Sequence, residues 1–275
     1  MKIRPYCRDC LKDLASRAVT LSGGNEETMA SALELVDSLF APHRNPTEIS
    51  NRLLKYVRRE TGVYDPFEDR KTVEFHRALE ASKRLDGFFP ETLEGGLRSA
   101  AFGNGGDFFM DHPYEPDRFE FSGEVDKIGR QVYDSQKVLI LGDNPGDFVF
   151  DLPLVRLLKD MGKRVFYAIK EHPVQNDMSI PDAARFKAEG MCPDIVSTGT
   201  DEVGIRKEEM SGVVGECWRD RSLVIAKGMG NYETISEFDA ERPVVYIMNV
   251  KCRSVAETLG RKVGDYIAIA GGDHG

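Results

Sequence analysis

Apolar positions fall into two regimes along the chain. Through about residue 120 they recur at helical spacing: Leu11, Leu14, Ala15 and Ala18; then Met29, Leu33, Val36, Leu39 and Phe40; then Ile49, Leu53, Leu54 and Val57; then Val73, Phe75, Ala78, Leu79 and Leu85. Asn25 stands as a cap before the second run and Thr47 before the third, which Gly62 ends; Asp65-Pro66-Phe67 opens the fourth. Residues 93–111 read as a helix running into the glycine-rich turn Gly103-Asn104-Gly105-Gly106-Asp107, with Asn104 and Asp107 as its side chains of interest. The polar, proline-containing stretch that follows reads as a loop. No strand is predicted in this part of the chain.

The pattern changes after a short helix predicted over 125–133. Val138, Leu139, Ile140 and Leu141 make a continuous apolar run, ended by Gly142 and the turn Asp143-Asn144-Pro145-Gly146-Asp147, after which helical spacing resumes to Gly162. A buried strand that stops at a polar turn and restarts as a helix is the first half of a βαβ unit. Further strands are predicted over 165–169, 194–197, 222–226, 244–248 and 266–270, separated mostly by helix-length segments. The expected fold is α/β: a Rossmann-like, mostly parallel sheet with helices on both faces (residues 121–275), preceded by an all-helical domain (residues 1–120).

Composition narrows the function. With 37 basic and 46 acidic residues among 275, the formal charge is -9, which argues against a nucleic-acid backbone as partner of the whole molecule. No segment approaches the roughly 18 apolar residues of a membrane span, and MKIRPYCRDC lacks the apolar run of a signal peptide. A cytoplasmic protein is expected. Five cysteines, an odd number, do not make a disulfide scaffold. Cys7 and Cys10 form a single C-x-x-C without a matching pair elsewhere; packing is the favoured role, with weak metal binding left open.

In open parallel sheets, ligands bind beyond the carboxyl ends of the strands. The predicted topology brings Asp143, Asn144 and Asp147 to that rim, together with Asn176 and Asp177, Lys227-Gly228-Met229-Gly230-Asn231, and Asn249, Lys251 and Cys252. Asp143, Asn144 and Asp177 form a hard oxygen set suited to magnesium or manganese. A lysine beside glycines offers a charge and exposed N–H groups to a phosphoryl group. Plainer roles stand beside these: turn chemistry for the Asp143–Asp147 stretch, a solvated loop lysine for Lys227, and helix caps for Asn231 and Asp177. His172 reads as a plain loop histidine and Cys217 as a small buried hydrophobe. The sequence has no G-x-G-x-x-G behind the first strand, no phosphate loop of the G-x-x-x-x-G-K-[ST] type, no H-E-x-x-H helix and no G-x-S-x-G elbow.

Taken together, LGDNPGDFVFD, the Asn176-Asp177 pair, AKGMGNYETISE and the VKC of residues 250–252 resemble the metal-dependent damage-control phosphatases, and PYCRDCL and Gly103-Asn104 resemble their prokaryotic branch. The resemblance spans nearly the whole chain. It implies a divalent cation (manganese, cobalt, nickel or magnesium) on Asp143, Asn144 and Asp177, a phosphate-contacting Lys227, and hydrolysis of phosphate monoesters of small, sugar-like or damaged metabolites. Asn104, Asp147, Asn176, Gly228, Asn231 and Lys251 are the remaining candidates for substrate contact. Two departures stand out: Pro145-Gly146-Asp147 replaces an alanine-glycine-glutamate turn, and Lys170-Glu171-His172-Pro173 replaces a segment with glycine and arginine character. Asp143 is expected to act as a ligand, since Pro145 occupies the position of the second aspartate of haloacid-type phosphatases; a nucleophilic role is the alternative. Asp177 is a ligand that doubles, on one reading, as the base orienting water. The competing functions are an S-adenosylmethionine-dependent carboxyl methyltransferase and a non-catalytic module that binds a phosphometabolite.

Overall fold

Seven strands, β1 (Phe121–Gly123), β2 (Lys137–Leu141), β3 (Arg164–Ile169), β4 (Ile195–Ser197), β5 (Leu223–Lys227), β6 (Val244–Asn249) and β7 (Tyr266–Gly271), form one sheet of order β1-β7-β6-β5-β2-β3-β4. The computed structural model describes residues 1–106, 114–238 and 242–271. Every neighbouring pair is parallel except β6 with β7. The chain runs outward from β2 through β3 to β4, then crosses to β5 on the other side of β2. A reversal of this kind leaves a crevice at the carboxyl ends of the two strands it separates.

The helices are α1 (Cys7–Leu21), α2 (Glu26–Leu39), α3 (Pro46–Thr61), α4 (Glu68–Arg84), α5 (Leu93–Gly103), α6 (Val125–Asp134), α7 (Pro145–Asp160), α8 (Ile180–Phe186), α9 (Gly212–Arg219), α10 (Gly228–Ile235) and α11 (Arg253–Leu259). Strand alternation divides the core between the two faces of the sheet. Val138 and Ile140 of β2 pack with Phe75 of α4, Phe102 of α5 and Phe148 of α7, whereas Leu139 and Leu141 pack with Val214 of α9, Ile235 of α10 and Val255 of α11. Helices therefore cover both faces, as the sequence pattern predicts.

The expected boundary at residue 120 does not coincide with a break between cores. Leu14, Val19, Val36, Leu53 and Val57 of α1–α3 share a cluster that closes on Phe67. In contrast, α4 and α5 give their apolar faces to the main core against α7. Helical periodicity marks an apolar face but not the surface it meets, so α4 and α5 looked like parts of the amino-terminal bundle. Two smaller differences also have physical reasons. Phe121–Gly123 pairs with β7 as a three-residue edge strand, too short for any alternation to show. The cap of α3 is Asn45, whose Oδ1 accepts the Thr47 N–H at 3.0 Å, with Pro46 as first helical residue.

Polar contacts fasten the bundle to the sheet. Arg58 pairs with Asp201 at 3.0 Å, Lys55 with Glu202 at 2.7 Å, and the Val203 N–H donates to Asn51 Oδ1 at 2.7 Å. Among the described residues no helix is long and apolar enough to cross a membrane.

Candidate active site

The sequence K-V-L-I-L ends β2 inside the sheet, and Asn144 starts α7 by accepting the Asp147 N–H on Oδ1 at 3.0 Å. This cap fixes Asp143 and Asn144 in the crevice between β2 and β5. Asp143 is half-buried, and its Oδ2 accepts a 2.8 Å hydrogen bond from Asn104 Nδ2. Across the crevice, Gly228 has φ +73° and lies so close to the carboxylate that a Cβ there would stand 2.0 Å from Asp143 Oδ2. Glycine is needed at this position on both counts.

The second carboxylate arrives by the crossover from β2 through α7 to the parallel β3. After β3, the loop through Asn176 and Asp177 folds back so that the Met178 N–H donates to the Asp143 C=O at 2.7 Å. Asn176 and Asp177 are both buried there, and Asp177 Oδ2 lies 3.6 Å from Lys170 Nζ. Asp177 does not cap α8. That position belongs to Ser179, which forms a capping box with Asp182.

Behind this rim is a buried polar network. Asn104 Nδ2 also donates to Asp147 Oδ2 at 2.8 Å, and Asn104 Oδ1 accepts the Asn249 N–H at 2.9 Å. Lys227 Nζ is paired with Asp147, lies 2.9 Å from Asp151 Oδ1, and donates to the Ala100 C=O at 2.9 Å. Asp151 in turn accepts from the Tyr167 hydroxyl at 2.8 Å. Asp147, Asp151 and Lys227 have no exposed surface. Burial pulls the lysine down, but Asp147 and Asp151 outweigh it and hold the ammonium above its ordinary pKa. For Asp151, burial is the largest influence; Lys227 pulls back and Asp147 pushes further, leaving the carboxyl up at about 6.

These contacts reassign several residues. Lys227 has no open side for a phosphate, because two carboxylates and a carbonyl surround its ammonium. The side chains of Asp147 and Asn104 are likewise consumed within the network. Asn231 lies inside α10, not at its start, and its amide ties Lys227 C=O (2.8 Å) and Gly142 C=O (3.3 Å) together. Lys251 is half-buried at the β6 end, where its N–H donates to Met229 Sδ at 3.3 Å. Asp107 lies outside the described residues, as does His274. His172 Nδ1 lies 3.0 Å from the Tyr64 hydroxyl. Cys7 is buried in the bundle core, Cys10 is exposed, and Cys217 is buried on α9.

Sequence reasoning missed Asp151, although its spacing of four from Asp147 on one helix places both on the same face. It missed Lys170 as a neighbour of Asp177 as well. Asp151 closes the LGDNPGDFVFD stretch and Lys170 follows β3 directly, yet neither position by itself shows which partner the fold will bring to it.

Whether the residues fit a cation can be judged from their chemistry. Among the described residues no three His, Cys, Asp or Glu side chains are grouped to hold a metal. The set at this rim is instead two carboxylates and one amide. Asn144 is 1% exposed, and its Nδ2 has no hydrogen-bond partner. A buried amide with an unused donor, beside a half-buried carboxylate packed against a glycine, fits a site built for a charged ligand. Hard oxygen donors of this kind suit magnesium or manganese.

Residues 3–267 match the family described as the damage-control phosphatase ARMT1-like domain. A damage-control phosphatase of Archaeoglobus fulgidus is 25% identical, with 98% of this chain and 99% of the relative covered. Another from Pyrococcus horikoshii is 25% identical over 94% of each chain. The crystal structure of a DUF89 family protein from Pyrococcus horikoshii superimposes with a TM-score of 0.86 at 24% identity, covering 98% of this chain and 99% of that one. The match over residues 3–267, nearly the whole chain, places it in the damage-control phosphatase ARMT1-like family.

Proposed function

We propose that this protein hydrolyses phosphate monoesters of small metabolites with the help of a divalent cation held by Asp143, Asn144 and Asp177. The observation that carries the reading is the convergence of two loops at one crevice. The loop holding Asp177 bonds directly to the Asp143 backbone, and the Asp143 carboxylate is set against Gly228 at the start of α10. As relatives, the damage-control phosphatases of Archaeoglobus fulgidus and Pyrococcus horikoshii support phosphatase chemistry in general.

A bound manganese, cobalt, nickel or magnesium ion would supply Lewis-acid stabilisation of charge on the phosphoryl oxygens. The chain does the rest. Asn104 orients the Asp143 carboxylate through Oδ2, and the free Nδ2 of Asn144 is a donor for a phosphoryl oxygen. Gly228 brings the backbone N–H groups at the start of α10 to the same edge. Asp177 holds the cation and orients the attacking water. We assign the cation facing the phosphate to half-buried Lys251 and not to Lys227. Lys227 acts indirectly: by offsetting Asp147 and Asp151, it leaves one net negative charge behind Asp143 where two would otherwise repel the phosphate.

The test is an assay of purified, metal-stripped protein on a generic phosphate ester, with each of the four cations added back. Turnover is expected only with a cation present. Turnover that survives exhaustive metal removal would contradict the reading, and binding of phosphorylated sugars without turnover would make the protein a binding module.

A further inference from the structure

Helix α4 carries two charged side chains in its buried face, which is an expensive place for either. Lys71 has no exposed surface and Glu74, one turn on, is 3% exposed. Each reaches a different half of the candidate cation site. Lys71 Nζ donates to Asp182 Oδ2 at 2.6 Å and pairs with Asp65 at 2.7 Å. Asp182 Oδ2 also accepts the Ser179 N–H at 3.0 Å and the Ser179 hydroxyl at 2.5 Å, which closes the loop two residues after Asp177. Glu74 Oε1 accepts the Gly146 N–H at 3.2 Å, two residues after Asn144. The two contacts sit three residues apart on one rigid helix, so their spacing is set by the helix alone.

From the sheet side the Asp177 loop is held by backbone bonds, Lys170 N–H to Met178 C=O (3.0 Å), Ile180 N–H to Lys170 C=O (2.9 Å) and Met178 N–H to Asp143 C=O (2.7 Å), and by the Lys170 ammonium 3.6 Å from Asp177 Oδ2. The buried ammonium shared between Asp65 and Asp182 adds a hold from the opposite side, through α4. Apolar residues at 71 and 74 would pack α4 more cheaply, so stability alone does not account for them.

We propose that Lys71 and Glu74 are positioning residues, which make α4 a brace that sets the distance between the Asp143–Asn144 turn and Asp177. The inference rests on the proposed cation site and adds that its geometry is imposed from a helix that precedes the sheet in the chain. Partners that hold metal ligands in place are commonly worth 10- to 100-fold in metal affinity.

The test is calorimetric titration of manganese into the metal-free parent, into Lys71→Met, and into Lys71→Met combined with Asp65→Asn and Asp182→Asn. All are measured where near-ultraviolet circular dichroism shows a folded protein. Lys71→Met alone leaves the Asp65 carboxylate without its ammonium and Asp182 with Arg185 as its remaining counter-charge, and loses stability. The triple variant removes both carboxylate charges and keeps the cap, because Ser179 is unchanged and an amide Oδ1 at position 182 can still accept its N–H. It is expected to recover thermal stability yet bind manganese about 10- to 100-fold more weakly, with faster hydrogen exchange at the amides of Asp177 and Met178. Parent-like affinity and protection in the triple variant would overturn the brace and leave Lys71 a packing residue. A parent that binds no manganese would refute the cation site instead, while the exchange rates would still report on the brace.

Discussion

At the scale of single residues, Lys227 shows how far a side chain's role depends on its neighbours. A lysine followed by glycines reads as a phosphate contact or a solvated charge. In the fold it is neither, since Asp147, Asp151 and the Ala100 C=O take all its bonding directions. Replacing it by methionine therefore does more than remove a charge from the reaction. It leaves Asp147 and Asp151 buried without a counter-ion, a change that typically costs about 3–5 kcal/mol. We expect Lys227→Met to lower the denaturant midpoint accordingly, and the addition of Asp151→Asn to restore part of the loss. A midpoint equal to the parent's would mean that Lys227 is solvated in solution and that the buried network does not form.

At the scale of elements, most of the sheet was legible because its strands are short, continuous apolar runs ended by glycine or by polar turns. The rim residues Asp143, Asn144 and Asp177 follow from the same logic, since a parallel strand must deliver what comes after it to one edge. What the sequence does not display is which acceptors a polar residue will find. Asn231 and Asn104 carry the same chemistry whether they face a ligand or a carbonyl, and only the packing of α5 and α10 turns them inward. Gly228 is a mixed case, readable as a phosphate-loop glycine but needed equally for the approach of the Asp143 carboxylate. The β5–α10 junction can be tested directly. Gly228→Ala places a methyl group where Asp143 Oδ2 lies and strains a left-handed backbone, at a cost of order 1–3 kcal/mol. We expect it to weaken manganese binding along with stability, measured by calorimetry and thermal melting. An alanine variant with unchanged affinity would show that Asp143 can swing clear of the junction.

At the scale of the whole molecule, the site exists only because the β2–α7–β3 crossover returns a distant loop to the Asp143 backbone. Asp177 lies beyond a complete helix and strand from Asp143, yet the Met178 N–H bonds the Asp143 C=O at 2.7 Å. The chief alternative for Asp177, a cap for α8, is filled by Ser179. Its neighbour is Lys170, 3.6 Å away, so the carboxylate is not left unopposed when no cation is bound. Asp177→Asn keeps the size of the side chain and removes only its charge. The metal-free protein should then lose some stability, up to about 3–5 kcal/mol, because buried Lys170 loses a carboxylate and keeps the Gly204 C=O. Manganese affinity should fall by at least the roughly 10- to 100-fold that loss of a mere supporting partner costs, and phosphatase activity should fall with it. Calorimetric titration of parent and variant separates the possibilities. Equal affinities would remove Asp177 from the cation site, and the crossover would then serve the fold alone.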